Sequence, residues 1–284
     1  MVDIQLPAGL DINALLSEEE DEYKWIIPGL IEEGDRLILT GNEGKGKSTL
    51  QRQIAVQVAR GIHPFTLAPI EPKRVMILDL ENSKRQVRRR LSEIVEIGEI
   101  APNMLSITCL PGGLDLFHKD FQNATLKAIG DFWPDILIIG PMYKMGGQLD
   151  KEEDSSKLAA LLDNWRTMFG FALIMESHQP HQVITQQQRF RPERPYGSSL
   201  WMRWPEFGLC LEDDGTLRHW RGARDVREWP EKLRWGDEWP WVVDSRKCLM
   251  CEKDLSDNQE KYCSSKCGSN ARSRTFRAQK RLIG

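Results

Sequence analysis

The sequence predicts an α/β protein in which a mostly parallel sheet is covered by helices on both faces. Unbroken apolar runs, such as RLILT (36–40) and DILIIG (135–140), alternate with segments whose apolar residues recur every three or four positions. Parallel strands buried on both faces have such runs, whereas half-solvated strands alternate in polarity. With 284 residues and 40% hydrophobic content, the chain can form one large α/β domain and a small additional one.

The predicted elements follow one another as repeated strand–helix units. The strand at 36–40 leads through a glycine-rich loop into a helix in which Leu50, Ile54 and Val58 are spaced four apart. The next segments, alternately strand and helix, are RVMILDLE (74–81), NSKRQVRRRLSEIVEIG (82–98), MLSITCL (104–110), DFQNATLKAIGDF (120–132), DILIIG (135–140), SSKLAALLDNWRTMFG (155–170) and FALIMES (171–177). This alternation predicts parallel strands joined by crossover helices.

The pattern changes after residue 177. Residues 178–199 are polar, basic and contain proline, which predicts a long loop, and loops of this length are commonly functional. Residues 207–221 predict a hairpin that turns at Asp214 and Gly215.

The glycine-rich loop after the first strand matches the phosphate-binding pattern G-x-x-x-x-G-K-[ST]. Small residues allow successive backbone N–H groups to surround phosphate oxygens at a helix N-terminus. We expect Lys47 to reach the β- and γ-phosphates of ATP and the Ser48 hydroxyl to ligate Mg²⁺. The expected nucleotide-binding residues are Gly41, Asn42, Glu43, Gly44, Lys45, Gly46, Lys47, Ser48 and Thr49.

Two strand ends bear on hydrolysis. Glu81 ends the second strand, where a carboxylate can orient the water that attacks the γ-phosphate. Gly140 stands where a nucleotide-hydrolysing P-loop protein usually has an aspartate that helps to hold magnesium. Two acids could compensate: Asp79, on the same side of its strand as Glu81, and Glu176, near the tip of FALIMES. We expect Ser48 to be the direct protein ligand of the metal, and we expect hydrolysis to survive.

Five segments have the order and spacing of a known family. They are WIIPGLIEEGDRLILTGNEGKGKSTL (25–50), VMILDLENSKRQVRRRL (75–91), DILIIGP (135–141), LIMESHQPH (173–181) and GSSLWMRW (197–204). Over about residues 25–230 the chain resembles the RecA-like ATPases, and most closely the compact hexameric replicative helicases of plasmids and phages, relatives of the DnaB-type helicase core. The resemblance implies a ring-shaped homo-oligomer, expected to be a hexamer, that hydrolyses ATP between subunits.

The resemblance also implies roles for individual residues. The family's catalytic glutamate corresponds to Glu81, and its γ-phosphate sensor to His178, although a surface histidine is the alternative. Basic fingers that reach the neighbouring subunit's nucleotide correspond to Arg221 and Arg224, whose alternative is a solvated hairpin. The loop at 178–199 is implied to hold single-stranded DNA by its phosphates, unless it is simply a basic loop. Its candidate contacts are Arg189, Arg191 and Arg194.

Four cysteines near the C-terminus have the spacing of a zinc site. Cys248, Cys251, Cys263 and Cys267 form two close pairs separated by a short loop, so four thiolates can surround Zn²⁺. Redox-active or unpaired thiols are the alternative. The pattern looks like small treble-clef or ribbon fingers. The basic residues that follow indicate nucleic-acid binding, although such fingers also bind proteins. The candidate DNA contacts are Arg272, Arg274 and Arg277.

Composition and motifs together suggest three regions. They are an acidic N-terminal arm (1–24), a RecA-like ATPase domain (25–244) and a zinc finger with a basic tail (245–284). The sequence has no apolar stretch of about 18 residues and no secretory signal, so we expect a cytoplasmic protein without a membrane partner.

Three functions are compatible with these features. The first is an ATP-dependent helicase or translocase of phage or plasmid replication, acting on single-stranded or forked DNA together with replication proteins. The second is a recombinase-type filament on DNA. The third, favoured by Gly140, is a regulatory or loading module that binds DNA through its zinc finger and turns ATP over slowly or not at all.

Overall fold

A computed structural model describes residues 9, 11–17, 23–180, 183–184, 189–190, 194–222, 227–244, 251, 253 and 263–270, with the backbone alone at 15, 183, 184, 189 and 190. The helices are α1 (Ile12–Ser17), α2 (Lys47–Ala59), α3 (Lys84–Leu91), α4 (Lys119–Phe132), α5 (Glu152–Phe169) and α6 (Leu200–Arg203), with a 3₁₀ helix at Met142–Lys144. The strands are β1 (Trp25–Ile27), β2 (Ile31–Glu32), β3 (Arg36–Gly41), β4 (Val75–Asp79), β5 (Leu105–Cys109), β6 (Ile136–Gly140), β7 (Ala172–Glu176), β8 (Val183–Ile184), β9 (Arg189–Phe190), β10 (Phe207–Leu211), β11 (Leu217–Arg221), β12 (Leu233–Trp235) and β13 (Trp241–Val243). None of the helices in the described ranges is long and apolar enough to cross a membrane.

Seven strands form the central sheet, in the order β11-β10-β3-β7-β6-β4-β5. Neighbouring strands from β10 to β5 run parallel, and β11 pairs antiparallel with β10. The predicted mostly parallel sheet is therefore confirmed. The carboxyl ends of the parallel strands lie at one edge, and ligands of open α/β sheets bind outside that edge.

Helices pack on both faces of the sheet. On one face, Leu50, Ile54 and Val58 of α2 pack against β3 and its neighbours. On the other face, Ile129 of α4 and Leu162 of α5 join a second buried cluster. Because both faces are covered, each central strand needs apolar side chains in both directions, and this requirement accounts for the unbroken runs in the sequence.

The helix α3 is shorter than its apolar spacing predicts. Ser83 and Gln86 form a capping box at its start, where the Gln86 amide donates to Ser83 Oγ at 3.4 Å and the Ser83 amide donates to Gln86 Oε1 at 2.8 Å. The helix ends at Leu91 instead of continuing to residue 98. One further turn follows, in which the amide of Val95 donates to the Leu91 carbonyl at 3.0 Å. That turn keeps the apolar side chains on the same face without extending the helix.

The region after residue 177 contains more regular structure than the sequence predicts. Inside the segment predicted to be a loop, β8 and β9 pair antiparallel, so that prediction is wrong for these four residues. β-Branched and aromatic residues favour such pairing even in a polar segment. The hairpin predicted at 207–221 is confirmed, since β10 and β11 pair around Gly215, which has a φ of 86°. A second hairpin, β12–β13, follows it.

Candidate nucleotide-binding site

The loop between β3 and α2 has the backbone conformation of a phosphate cradle. Gly44 and Gly46 have φ values of 72° and 92°, which side chains rarely allow, and α2 begins immediately afterwards at Lys47. The free N–H groups of the first helical turn and the helix dipole therefore face the loop. At Gly46, an added Cβ would lie 2.8 Å from the ring of Trp241, whose Nε1 donates to the Gly46 carbonyl at 3.2 Å.

The side chains of Lys47 and Ser48 both approach Glu176, the last residue of β7. Lys47 is 3% exposed, and its Nζ donates to the carbonyls of Gly41 and Asn42 at 3.0 and 2.8 Å. The same Nζ lies 3.7 Å from Glu176 Oε1. Ser48 Oγ donates to Glu176 Oε2 at 2.7 Å. A buried lysine, a hydroxyl and a carboxylate thus meet where the β- and γ-phosphates of a nucleotide are expected.

Asp79, the other acid considered for the metal, has different partners. Its Oδ2 accepts from Arg52 Nη2 at 2.6 Å in a buried ion pair, and its Oδ1 accepts from the amides of Glu81 and Asn82 at 3.1 and 2.8 Å. Burial acts to raise the pKa of Asp79, but these hydrogen bonds and the Arg52 charge outweigh it, so the pKa lies below its usual value. The carboxylate of Asp79 therefore fixes the turn that carries Glu81.

Glu81 lies two residues beyond the end of β4 and is exposed in the cleft above the P-loop. The hydrogen bond from the Glu81 amide to Asp79 Oδ1 holds the backbone of Glu81, while its side chain remains accessible to a ligand. This placement is the one expected for a group that orients an attacking water.

His178 lies across the same cleft. Its Nδ1 is 3.8 Å from Glu43 Oε1 in the P-loop, and its ring centroid is 5.4 Å from that of Tyr143. Partial burial, with the charges of Glu81 and Glu176, raises the pKa of Tyr143, which further favours the protonated hydroxyl. The structure therefore brings His178 and the P-loop together, and the role of His178 as a γ-phosphate sensor stays a prediction.

One tryptophan of the β12–β13 hairpin, Trp235, lines the cleft, which has a volume of about 590 Å³, and a second tryptophan supports it. Trp241 is buried against Gly46, and Trp235 stacks on Trp241 with a centroid distance of 4.4 Å and an interplanar angle of 24°. Trp235 itself is 58% exposed and lines the cleft. An aromatic face is therefore available beside the phosphate cradle.

Comparison with protein families agrees with this geometry. A model described as an AAA domain matches residues 3–182, which is more than half of the chain. The chain belongs to the AAA domain family. Its fold is similar to that of a KaiC-like protein from the hyperthermophilic archaeon Pyrococcus horikoshii, with a TM-score of 0.51 and 15% identity over 75% of this chain and 90% of that one. Among curated proteins, no sequence matches the chain. The P-loop, the sheet order and the family together identify a RecA-like P-loop ATPase fold.

The structure describes only some of the residues expected to contact DNA or to act as arginine fingers in this AAA domain protein. Arg221, at the end of β11, donates from Nη1 to the Met202 carbonyl of the same chain at 3.1 Å, and Arg194 is half-buried. Only the backbone of Arg189 is described, in β9. Five positions lie outside the described residues and stay predictions: Arg191, Arg224 and, in the basic tail, Arg272, Arg274 and Arg277.

Three of the four predicted zinc ligands of this AAA domain protein lie together. The Sγ atoms of Cys251, Cys263 and Cys267 are 3.4, 3.6 and 3.7 Å apart. Thiolates about 2.3 Å from a tetrahedral zinc lie about 3.8 Å from one another, so the arrangement suits that ion. Cys248 lies outside the described residues.

Sequence reasoning missed Trp235 and Trp241. Both lie in the β12–β13 hairpin, beyond the hairpin that the sequence predicts, and no motif links them to the P-loop. The available signal was the tryptophan-rich composition, with ten tryptophans in the chain. Tyr143 was also missed, although it lies only three residues after Gly140, in the 3₁₀ helix that follows β6.

Proposed function

We propose that the cleft binds and hydrolyses ATP. The observation that supports this proposal best is the meeting of the P-loop with Glu81 in a single cleft, at the carboxyl edge of a parallel sheet. In the reaction, a water oxygen bonds to the γ-phosphorus while the bond to the β–γ bridging oxygen breaks. Glu81 orients the water and accepts its proton, and Lys47 and His178 contact the γ-phosphate.

The residues beside the P-loop suit a magnesium ion. Ser48 and Glu176 present a hydroxyl and a carboxylate, and Mg²⁺ prefers such oxygen donors while it keeps several waters. When bound, the ion neutralises phosphate charge as that charge develops on the leaving group. Lys47 supplies a second positive charge from the protein side.

Trp235 provides a surface for the base of the nucleotide. Its exposed ring faces the cleft, and its other face is held by Trp241. A ring that is already stacked on one side loses little freedom when a base covers the other. Such stacking favours any base, so the proposed specificity for ATP does not come from Trp235 alone.

We further propose that hydrolysis drives movement along single-stranded or forked DNA in phage or plasmid replication, in a homo-oligomeric ring. Support comes from the arginines of the segment at 178–199 and from the resemblance of the whole core to replicative helicases. In this proposal Arg221 and Arg224 act as fingers for the neighbouring subunit, and Arg221 exchanges its hydrogen bond to the Met202 carbonyl for one to a phosphate.

The test is the ATPase rate with and without single-stranded DNA, for the wild type, Lys47→Ala and Glu81→Gln. We expect DNA to stimulate the wild type, Lys47→Ala to lose nucleotide binding, and Glu81→Gln to bind nucleotide but hydrolyse about 10²–10⁴-fold more slowly. Absence of DNA-stimulated turnover in an assembled preparation would contradict the translocase. Filaments instead of closed rings in electron micrographs would favour a recombinase.

A regulatory or loading module is the second candidate, because Gly140 replaces the usual metal-binding acid. The contact between Ser48 and Glu176 argues against this candidate, since an acid contacts the hydroxyl that we propose as the magnesium ligand. Gly140→Asp discriminates between the two. If this change alone activated an otherwise silent protein, the regulatory function would replace the translocase.

We propose that the C-terminal cysteines hold one structural zinc ion and that the basic residues beyond them contact DNA. The three clustered Sγ atoms support the metal site, and Cys248 would supply the fourth ligand. Metal analysis after purification without chelator should give about one zinc per chain. A clearly lower content would contradict the four-thiolate site.

A further inference from the structure

Gly140 lies beside Glu176 on the neighbouring strand. β6 and β7 pair Ile139 with Met175, so the next residues along the parallel strands, Gly140 and Glu176, are neighbours at the sheet edge. Gly140 is not among the glycines with a positive φ, so its backbone does not require glycine. A Cβ added there would lie 2.9 Å from Glu176 Cβ and 3.1 Å from its backbone nitrogen. Gly140 therefore leaves the space that Glu176 occupies.

Glu176 lies one strand closer to the P-loop than Gly140 does. β7 is the direct neighbour of β3, whereas β6 is separated from β3 by β7. Adjacent strands are about 4.8 Å apart, so an acid on β7 begins about one strand spacing nearer to Ser48. The carboxylate of Glu176 uses both oxygens there, one for Ser48 Oγ and one facing Lys47 Nζ.

The other acids near Ser48 have other tasks. Asp79 is paired with the buried Arg52 and holds the amides of the following turn. Glu81 points into the open cleft, where it is placed to orient water. Glu176 is the acid that contacts the hydroxyl of Ser48 among the described residues.

We propose that Glu176, at the end of β7, positions the magnesium ligand Ser48, in place of the acid that usually stands at the end of β6. Gly140 allows this relocation because it has no side chain to occupy the space of Glu176. This inference rests on the proposed binding of a magnesium nucleotide. Because the Ser48 hydroxyl donates a hydrogen bond to Glu176, the oxygen lone pairs of Ser48 are available to the metal. Carboxylates that orient a metal ligand in this way commonly change metal affinity 10- to 100-fold, as a rough guide, when they are removed.

The experiment measures binding of fluorescent mant-ADP as MgCl₂ is increased, so hydrolysis is not needed for the readout. The half-effect concentration is the Mg²⁺ concentration that gives half of the full change in mant-ADP binding. In Glu176→Gln we expect it to rise about 10- to 100-fold, with metal-free mant-ADP binding unchanged or tighter. Glu93→Gln is the matched control, because it removes the same charge from an exposed position outside the cleft residues, and its half-effect concentration should stay within about twofold of wild type. An unchanged half-effect in Glu176→Gln, or an equal shift in both variants, would overturn the inference while mant-ADP binding kept the proposed function intact. Absence of wild-type mant-ADP binding would overturn both.

A pair of exchange variants tests the packing between the two strands. Gly140→Asp alone should raise the half-effect concentration, because its Cβ displaces Glu176. Glu176→Gly should also raise the half-effect concentration. The combined variant should have a half-effect concentration at least about tenfold lower than Glu176→Gly alone, because the acid then stands on β6 and glycine on β7 leaves room for it. If Gly140→Asp alone strengthened the Mg²⁺ response, or the combined variant were no better than Glu176→Gly, the relocation would be wrong.

Discussion

Replacing Trp235 by alanine should weaken nucleotide binding without damaging the phosphate cradle. Trp235 is 58% exposed and stacks on Trp241 at 4.4 Å, so alanine removes the ring that faces the cleft and leaves the ring that contacts Gly46. Stacking of a base on an aromatic ring is worth about 1–3 kcal/mol. Since about 1.4 kcal/mol corresponds to a tenfold change, ADP affinity should fall about 5- to 150-fold.

Calorimetric titration of ADP, GDP and pyrophosphate separates the base from the phosphates. The affinities for the two nucleoside diphosphates, ADP and GDP, should fall by similar factors in Trp235→Ala, because stacking is tolerant of base identity. Pyrophosphate has no base, so its affinity should change by less than about twofold. Trp235→Phe should retain part of the ADP affinity. Trp133→Ala is the control, because Trp133 is another exposed tryptophan, at the end of α4, outside the cleft residues.

Two results would refute this reasoning. If Trp235→Ala bound ADP as tightly as wild type, the base would not rest on this ring. If pyrophosphate affinity fell as much as ADP affinity, the loss would come from disturbance of the P-loop through Trp241. In that case the tryptophan pair would be a structural support for the loop, with no contact to the base.

Three further predictions concern fold and assembly. Arg52→Met should lower the free energy of unfolding by about 3–5 kcal/mol in urea titration, because it leaves the buried Asp79 carboxylate without its counter-charge, and Asp79→Asn in that background should recover part of the loss. Burial raises the pKa of Asp35 from 3.8 to about 6 despite the Glu32 amide and the Arg227 charge. The stabilisation that results from this raised pKa is therefore fully present below about pH 4 and is lost as pH rises through about 6. Asp35→Asn should lack this pH-dependent part of the free energy of unfolding, and identical profiles of that free energy against pH for the two proteins would contradict the prediction. If Arg221 acts on the neighbouring subunit, the Lys47→Ala and Arg221→Ala proteins should each be inactive alone and regain ATPase activity when mixed. Mixing restores activity because some subunit interfaces then contain both an intact Lys47 and an intact Arg221. No recovery on mixing would argue against a finger that acts in trans.

The predicted parts of the site are those that local sequence encodes. The P-loop needs glycines at fixed spacing, and its strand and helix are adjacent in the chain, so Gly41–Ser48 and the fold around them followed from the sequence. Glu81 was also predictable, since it directly follows an apolar strand next to the P-loop. The alternation of apolar runs and amphipathic helices gave the parallel sheet for the same reason.

The sequence alone determined the fold class, the phosphate cradle and the position of the candidate catalytic glutamate, because each is a local pattern of residues in a short segment. Only the tertiary structure decided between Asp79 and Glu176 as the partner of Ser48, and only it placed Trp235 in the cleft. Ser48 and Glu176 are 128 residues apart in the chain, and Gly46 and Trp241 are 195 apart. Such contacts depend on which strands become neighbours in the sheet and on where the last hairpin packs, and spacing along the chain does not record either.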